Sequence, residues 1–567
     1  MNRALAASIG LIGASLAHAQ TTPTDLDAAQ RRAQQIQQQQ EQQLRRDLEA
    51  ATPAPPRVTA PELGLPPLPA VEPGPCVKAD KVVIDGSEWL SRDVRELVTT
   101  RYVNPCLQRS ALQEALTLMT QDLMVRGLIT SRVYLPEQDT ATGELRFKVV
   151  EGRIERVVFD SATRMAHAFP IQAGDVLNLR DIEQGIEQMN RLPTNRATMD
   201  ILPGSAAGLS VVRITNKPEG RVRGSLSLDN QGATSTGEHQ WGGTIAVDNL
   251  LSLQDLLSLN YKQSTDLDVD RKGSRSAGLN WSLPLGYHTV SYTFTTSEYA
   301  SSFTAPSGLT LLSDGTSWSH QIKLDRLLWR NQTSRVNASG GFTLKESRNF
   351  LERQYLAVSS RTLSVASLDL NASTLAGGWM IDGGVGADLG MHALGSQKDR
   401  DNLPDWAPRA QFQRYRATLN LSKPFELAGQ NMMWSTQWNG QYGADVLYGS
   451  EQMSIGGLYS VRGFVRNSLA GDSGHYVRNE LSLRKPLVLP NGQVHQLKLA
   501  LGHDIGRVFS RVDQVPEGVL SGWFASLNLY AGPFQIELMH TKALNQPDRW
   551  FTQLESGQTW FRLNWAF

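Results

Sequence analysis

Two segments toward the C-terminus hold the residues whose types and spacing could do chemistry. In the first, Ile455-Gly456-Gly457 leads into Leu458-Tyr459-Ser460-Val461-Arg462-Gly463-Phe464, which sets an arginine and a glycine between apolar residues. In the second, Leu497-Lys498-Leu499-Ala500-Leu501-Gly502-His503-Asp504-Ile505-Gly506, strand alternation puts Leu497, Leu499 and Leu501 on one face. Lys498, Ala500, Gly502 and Asp504 fall on the other. A carboxylate on an enclosed face needs a cationic partner, and a guanidinium on a glycine-flexed loop can meet it with two parallel hydrogen bonds. The alternative is an exposed loop arginine and a solvated aspartate, worth little to each other. Either way this is recognition chemistry rather than catalysis. There is no Gly-x-Ser-x-Gly, no His-Glu-x-x-His and no Walker loop, and the ten histidines lack recognisable partners. The expectation is no catalytic residue, no metal site and no cofactor.

The elements that must position these residues are short alternating strands. Leu257, Leu259 and Tyr261 alternate with Ser258, Asn260 and Lys262; Val290, Tyr292 and Phe294 with Ser291, Thr293 and Thr295; Tyr415, Ala417, Leu419 and Leu421 with Arg416, Thr418, Asn420 and Ser422. A soluble sandwich would also alternate. Scale favours a membrane barrel, because Arg221 to Phe567 is 347 residues of strand and turn pattern without a long helical pattern. The chain ends on Phe561, Leu563, Trp565 and Phe567 alternating with Arg562, Asn564 and Ala566. Such an end resembles the C-terminal signal that outer-membrane barrels present to their assembly machinery. In lipid every backbone group must be paired within the protein, so the sheet has to close.

Residues 1 to 19 read as a secretory signal: Arg3, an apolar run from Ala4 to Leu16, then Ala17-His18-Ala19, so that the mature chain starts at Gln20. Beyond it no stretch of eighteen apolar residues occurs, which excludes a spanning helix. Lys plus Arg and Asp plus Glu are both 55, so no net charge recruits nucleic acid. Cys76 and Cys106 are the two cysteines; in an oxidising compartment they can form a disulfide, or stay as two buried thiols, and metal binding needs more ligands.

Residues 20 to 51 contain DLDAAQRRAQQIQQQQEQQLRRDLEA, a strong helix former whose apolar stripe is only Leu26, Ala29, Ala33, Ile36, Leu44 and Leu48. A helix polar almost all round is disordered, paired with another helix or lodged in a watery channel, and sequence alone makes disorder the default. Residues 52 to 75 are a proline-rich linker. Two β-α-α-β-β units are expected over 76–151 and 152–218. The first has strands Lys81–Ile84, Ser131–Leu135 and Glu144–Glu151 around helices Ser91–Thr99 and Arg109–Arg126; the second has strands Ile154–Asp160, Arg196–Leu202 and Leu209–Asn216 with a helix at Asp181–Arg191. This order resembles two POTRA domains, with the barrel following over 219–567.

The whole mature chain resembles the TpsB transporters of two-partner secretion, the hemolysin secretion and activation family. Leu228 to Leu259, with Asp229-Asn230, Gly232, Thr236-Gly237, Asp248-Asn249 and Asp255, falls where that family places its first barrel hairpin, although two plain strands with turn residues would read the same. Val461-Arg462-Gly463-Phe464 resembles the tetrad at the tip of the sixth extracellular loop. Gly502, Asp504 and Gly506 match the [F/G]-x-D-x-G strand that receives it, with Gly502 and His503 standing where many relatives carry aromatic residues. The resemblance implies a mainly β protein: a barrel of about 16 strands, plugged at rest by the N-terminal helix and preceded by two periplasmic α+β POTRA domains. It also implies an outer-membrane location and a large secreted TpsA-type partner taken up through the POTRA domains. The other partners are outer-membrane lipid and, during biogenesis, periplasmic chaperones and the barrel assembly machinery. An assembly factor of the BamA type is the alternative, set back by the two repeats and the polar helix. Adhesin, hemolysin and contact-dependent toxin stay open as the cargo.

Overall fold

The computed structural model describes residues 23–51, 76–160, 165–266, 271–490, 492–513 and 515–567. The leader and the proline-rich linker read from the sequence lie outside the described residues.

The first unit is built around strand Glu144–Val150, where alternation buries Leu145, Phe147 and Val149. Lys81–Asp85 pairs parallel to it and Arg132–Tyr134 antiparallel. Helices Arg92–Arg101 and Arg109–Val125 cover one face of the sheet, with Val98, Met119 and Leu123 in the core. The Ser91 hydroxyl caps the first helix by accepting from the Val94 amide at 3.3 Å. Cys76 and Cys106 form a disulfide beside the paired strands Val77–Ala79 and Asn104–Leu107.

The second unit departs from the expected pattern. Its sheet has Leu209–Asn216 between Arg153–Asp160 and Ala197–Pro203, but it carries one α-helix, Leu179–Asn190. In place of a first helix there is a 3-10 turn, Ala166–Ala168, because Pro170 follows at once and cannot continue a helix. Helix Leu179–Asn190 is buried nearly all round, including Glu183, Gln184, Glu187 and Gln188. One face packs on its own sheet and the other on the barrel.

Sixteen strands close the barrel, in sequence order from Val222–Asp229 to Gln558–Ala566; the two-residue strand Gln354–Tyr355 only extends one hairpin. Closure runs from Arg562↔Asp229 to Ala566↔Ser225, and the amides and carbonyls of Phe567 and Gly224 then bond reciprocally. Facing follows the period of two: Leu259 and Tyr261 are 43% and 37% exposed, whereas Ser258, Asn260 and Lys262 are 0%, 6% and 5% exposed. The apolar residues look outward to lipid and the polar ones into the lumen. Phe561, Leu563, Trp565 and Phe567 are on the outer face. Turns such as Gly286-Tyr287 lie at the end facing the two N-terminal α+β units, and the long loops lie at the opposite, outer end. Among the described residues no helix is long and apolar enough to cross a membrane; strands do the crossing.

Helix Pro23–Ala51 runs inside this barrel, where the family resemblance puts it, rather than in the disorder that its polarity alone makes the default. Ala29, Ala33, Ile36 and Leu44 of its stripe are buried, Ala29 among Phe303, Ala305, Leu311 and Leu351 near the outer end and Ile36 against Tyr299. The side chain of Leu26 lies outside the description. The polar faces that no apolar core would accept meet a polar lumen wall.

Candidate functional site

The sixth outer loop, residues 444–472, links strands Gln430–Gly443 and Ser473–Val488 and turns back into the barrel. A short hairpin, Met453–Ile455 with Leu469–Gly471, stiffens its stem. At its tip Arg462 meets Asp504 of strand Val494–Phe509. Nε reaches Oδ2 at 2.5 Å, Nη2 reaches Oδ1 at 2.6 Å, and the Arg462 amide also donates to Oδ2 at 3.0 Å. Both residues are buried, so this is an enclosed fork rather than a surface bridge. Val461 and Phe464 fill an apolar pocket with Ile455, Leu469, Val508, Leu520 and Ala543. Gly463 sits at φ +116°, and a Cβ there would lie 2.7 Å from the backbone of Lys542, so only glycine lets the tip settle against the wall.

The two glycines expected on the receiving strand play different parts. A Cβ on Gly506 would crowd Tyr476 and Val461, so it makes room for the tip. A Cβ on Gly502 would lie 2.1 Å from the Phe524 ring. Phe524, on the neighbouring strand Gly518–Ala531, reaches across that gap and sets its ring centroid 3.3 Å from the Arg462 guanidinium carbon. The aromatic ring that meets Arg462 thus comes from one strand away, while His503 points outward. Sequence reasoning missed Phe524, because nothing local marks a residue whose ring crosses to the next strand.

It also missed the acids that fasten the stem. Asp472 accepts from the amides of Leu447 and Arg511 at 2.8 and 2.9 Å, and Glu451 bonds Lys345 at 2.5 Å and Arg414 at 3.2 Å. Arg414 and Arg416 share Asp388, which carries the network around the wall. Among the described residues no group of three or more His, Cys, Asp or Glu could hold a metal ion.

The model of the haemolysin secretion/activation protein ShlB/FhaC/HecB family matches residues 208–529, more than half of the chain. The chain belongs to this family. It is therefore a TpsB outer-membrane transporter of two-partner secretion, and not an enzyme. POTRA models match residues 77–152, of the ShlB type, and 153–203. The outer membrane transporter CdiB of Dickeya dadantii (strain 3937) is 35% identical over 72% of this chain and 73% of its own length. CdiB of Escherichia coli is 34% identical over 82% of this chain and 77% of its own. A solved structure of CdiB from Escherichia coli superposes with a TM-score of 0.81 at 32% identity, covering 97% of this chain and all of that one. The family match turns the choice away from a BamA-type assembly factor.

In this transporter the first-hairpin residues divide between two places. Asp229 lies in the lumen, 3.0 Å from Lys262, which with Arg562 brackets Asp47 of the N-terminal helix at 3.9 Å each. Asp248 and Asp255 instead lie at the POTRA end; Asp248 takes Arg223 at 2.9 Å and the Thr194 amide at 3.2 Å. The turn between them holds Asn249, Ser252 and Gln254 at positive φ. The helix touches the loop as well as the wall: Gln38 donates to the Gly449 carbonyl, Gln35 to that of Arg466, and Arg46 lies over the Tyr459 ring.

Proposed function

We propose that this transporter takes up a large secreted TpsA-type exoprotein on its two POTRA units and passes it through the lumen to the cell surface after the helix and loop 6 give way. The observation that carries this reading is the occupied lumen. The helix is held by many separate polar contacts, among them Arg32 to Ser301 at 3.3 Å, Gln37 to Asn349 at 3.0 Å and Gln43 to Gln240 at 2.7 Å. Such contacts in a wet channel are each worth roughly 0 to 1 kcal/mol, so they close the pore yet release one by one. The end strands Arg153–Asp160 and Ala197–Pro203 of the second POTRA sheet offer edges on which an extended chain can add a strand. Periplasmic chaperones and the assembly machinery receive the barrel through Phe561, Leu563, Trp565 and Phe567.

Two measurements test this. Co-expression of the candidate partner with and without the transporter should give partner at the surface only with it; equal surface levels would end the reading. Deleting residues 20–51 should raise single-channel conductance in planar bilayers several-fold, because a 16-stranded barrel without its plug leaves an aqueous channel. Unchanged conductance would mean that the helix is not the closure.

A further inference from the structure

The last outer loop, residues 546–557, joins strands Phe534–Asn545 and Gln558–Ala566 and lies against loop 6 just past its tip. There the Glu555 carboxylate accepts from three consecutive amides. Val465 donates to Oε2 at 2.7 Å, Arg466 to Oε1 at 3.0 Å, and Asn467 to Oε1. The same segment is bound again through Asn467 Nδ2 to Gln546 Oε1 at 3.0 Å. Successive amides converging on one anion form a nest, and hydrogen bonds to a charged acceptor are about twice as strong as neutral ones. Because the donors are backbone groups, the hold depends on the conformation of 465–467 and not on their side chains. The Arg466 carbonyl, in that same stretch, accepts from Gln35 of the plug helix at 3.2 Å.

We infer that Glu555 is a positioning residue for gating, a second latch set from the outer surface that holds loop 6 down alongside the Arg462–Asp504 fork and supports the plug through Arg466. One latch is set on strand Val494–Phe509 and the other on the last outer loop, and they use different donors. Releasing either one loosens the tip.

The test uses the full-length protein in the outer membrane of intact cells. Its two cysteines are joined to each other, so Ser460→Cys, at a position 2% exposed beside the tip, places a single thiol where an impermeant maleimide reaches it only when the loop lifts. Adding Glu555→Ala should speed labelling by about tenfold or more, the factor that one charge-assisted hydrogen bond is worth. Glu555→Asp should stay closer to the parent. Glu555→Gln, which turns an amide NH2 toward one of the donors, should label faster than the parent. Heat-modifiability reports that each barrel is inserted, and the glutamine variant serves if the alanine one is not. Parental labelling rates in both the Ala and Gln variants, with Arg462→Ala accelerated, would overturn the latch.

Discussion

Arg462→Ala is expected to cut partner secretion at least a hundredfold while the barrel remains inserted and heat-modifiable. The change leaves Asp504, 0% exposed, without its cation, and removal of one partner from a buried pair costs about 3 to 5 kcal/mol. The loss falls on the seating of loop 6, since the strand ladders around Asp504 are paired through their backbones without Arg462. Function therefore goes before fold. Arg462→Lys should recover only part, because an ammonium cannot make both fork bonds and lie flat on Phe524. A double-mutant cycle with Asp504→Ala, read as secreted partner, should be strongly non-additive. If the two single losses simply add, the contact does not carry the function.

Arg191→Ala should lower secretion by tenfold or more through the joint between the second POTRA unit and the barrel. Arg191 donates to the Ser282 hydroxyl at 2.5 Å and to the Gln254 carbonyl at 2.9 Å; Asn195 reaches the Gln254 side chain at 2.9 Å. Burial pulls its guanidinium down to about 10, against the fields of Asp248 and Asp255, and still leaves it charged at neutral pH. Truncation orphans buried acceptors at about 1 to 3 kcal/mol each. The other side of the joint, Arg330 with Glu187 at 2.9 Å, should keep the units attached but loose. Limited proteolysis of the purified transporter should then cut within 191–221 well before the barrel strands. Parental protection together with parental secretion would show that the joint need not be rigid.

These two sites differ in how legible they were. Arg462 and Asp504 could be paired from sequence, because strand alternation put Asp504 on the enclosed face and the tetrad and receiving strand occurred in the expected order. Alternation likewise marked Leu259 against Lys262 and the aromatic C-terminus, since side-chain facing in a strand is a local property with a period of two. The expected β-α-α-β-β repeat fails at one place, where Pro170 leaves only a turn at Ala166–Ala168 in place of the first helix. What no local pattern carried is partnership across the barrel. Disorder was the natural expectation for a polar helix until a closed wall placed Asn349, Gln240 and Lys262 around it. Phe524 stacks on Arg462, Glu555 holds Val465 to Asn467, and Arg191 reaches Ser282, each between segments 62 to 91 residues apart in the chain. Side-chain facing was written in the sequence. Which residues face one another was decided by barrel closure and strand register, because those set the distances between segments that the chain itself keeps far apart.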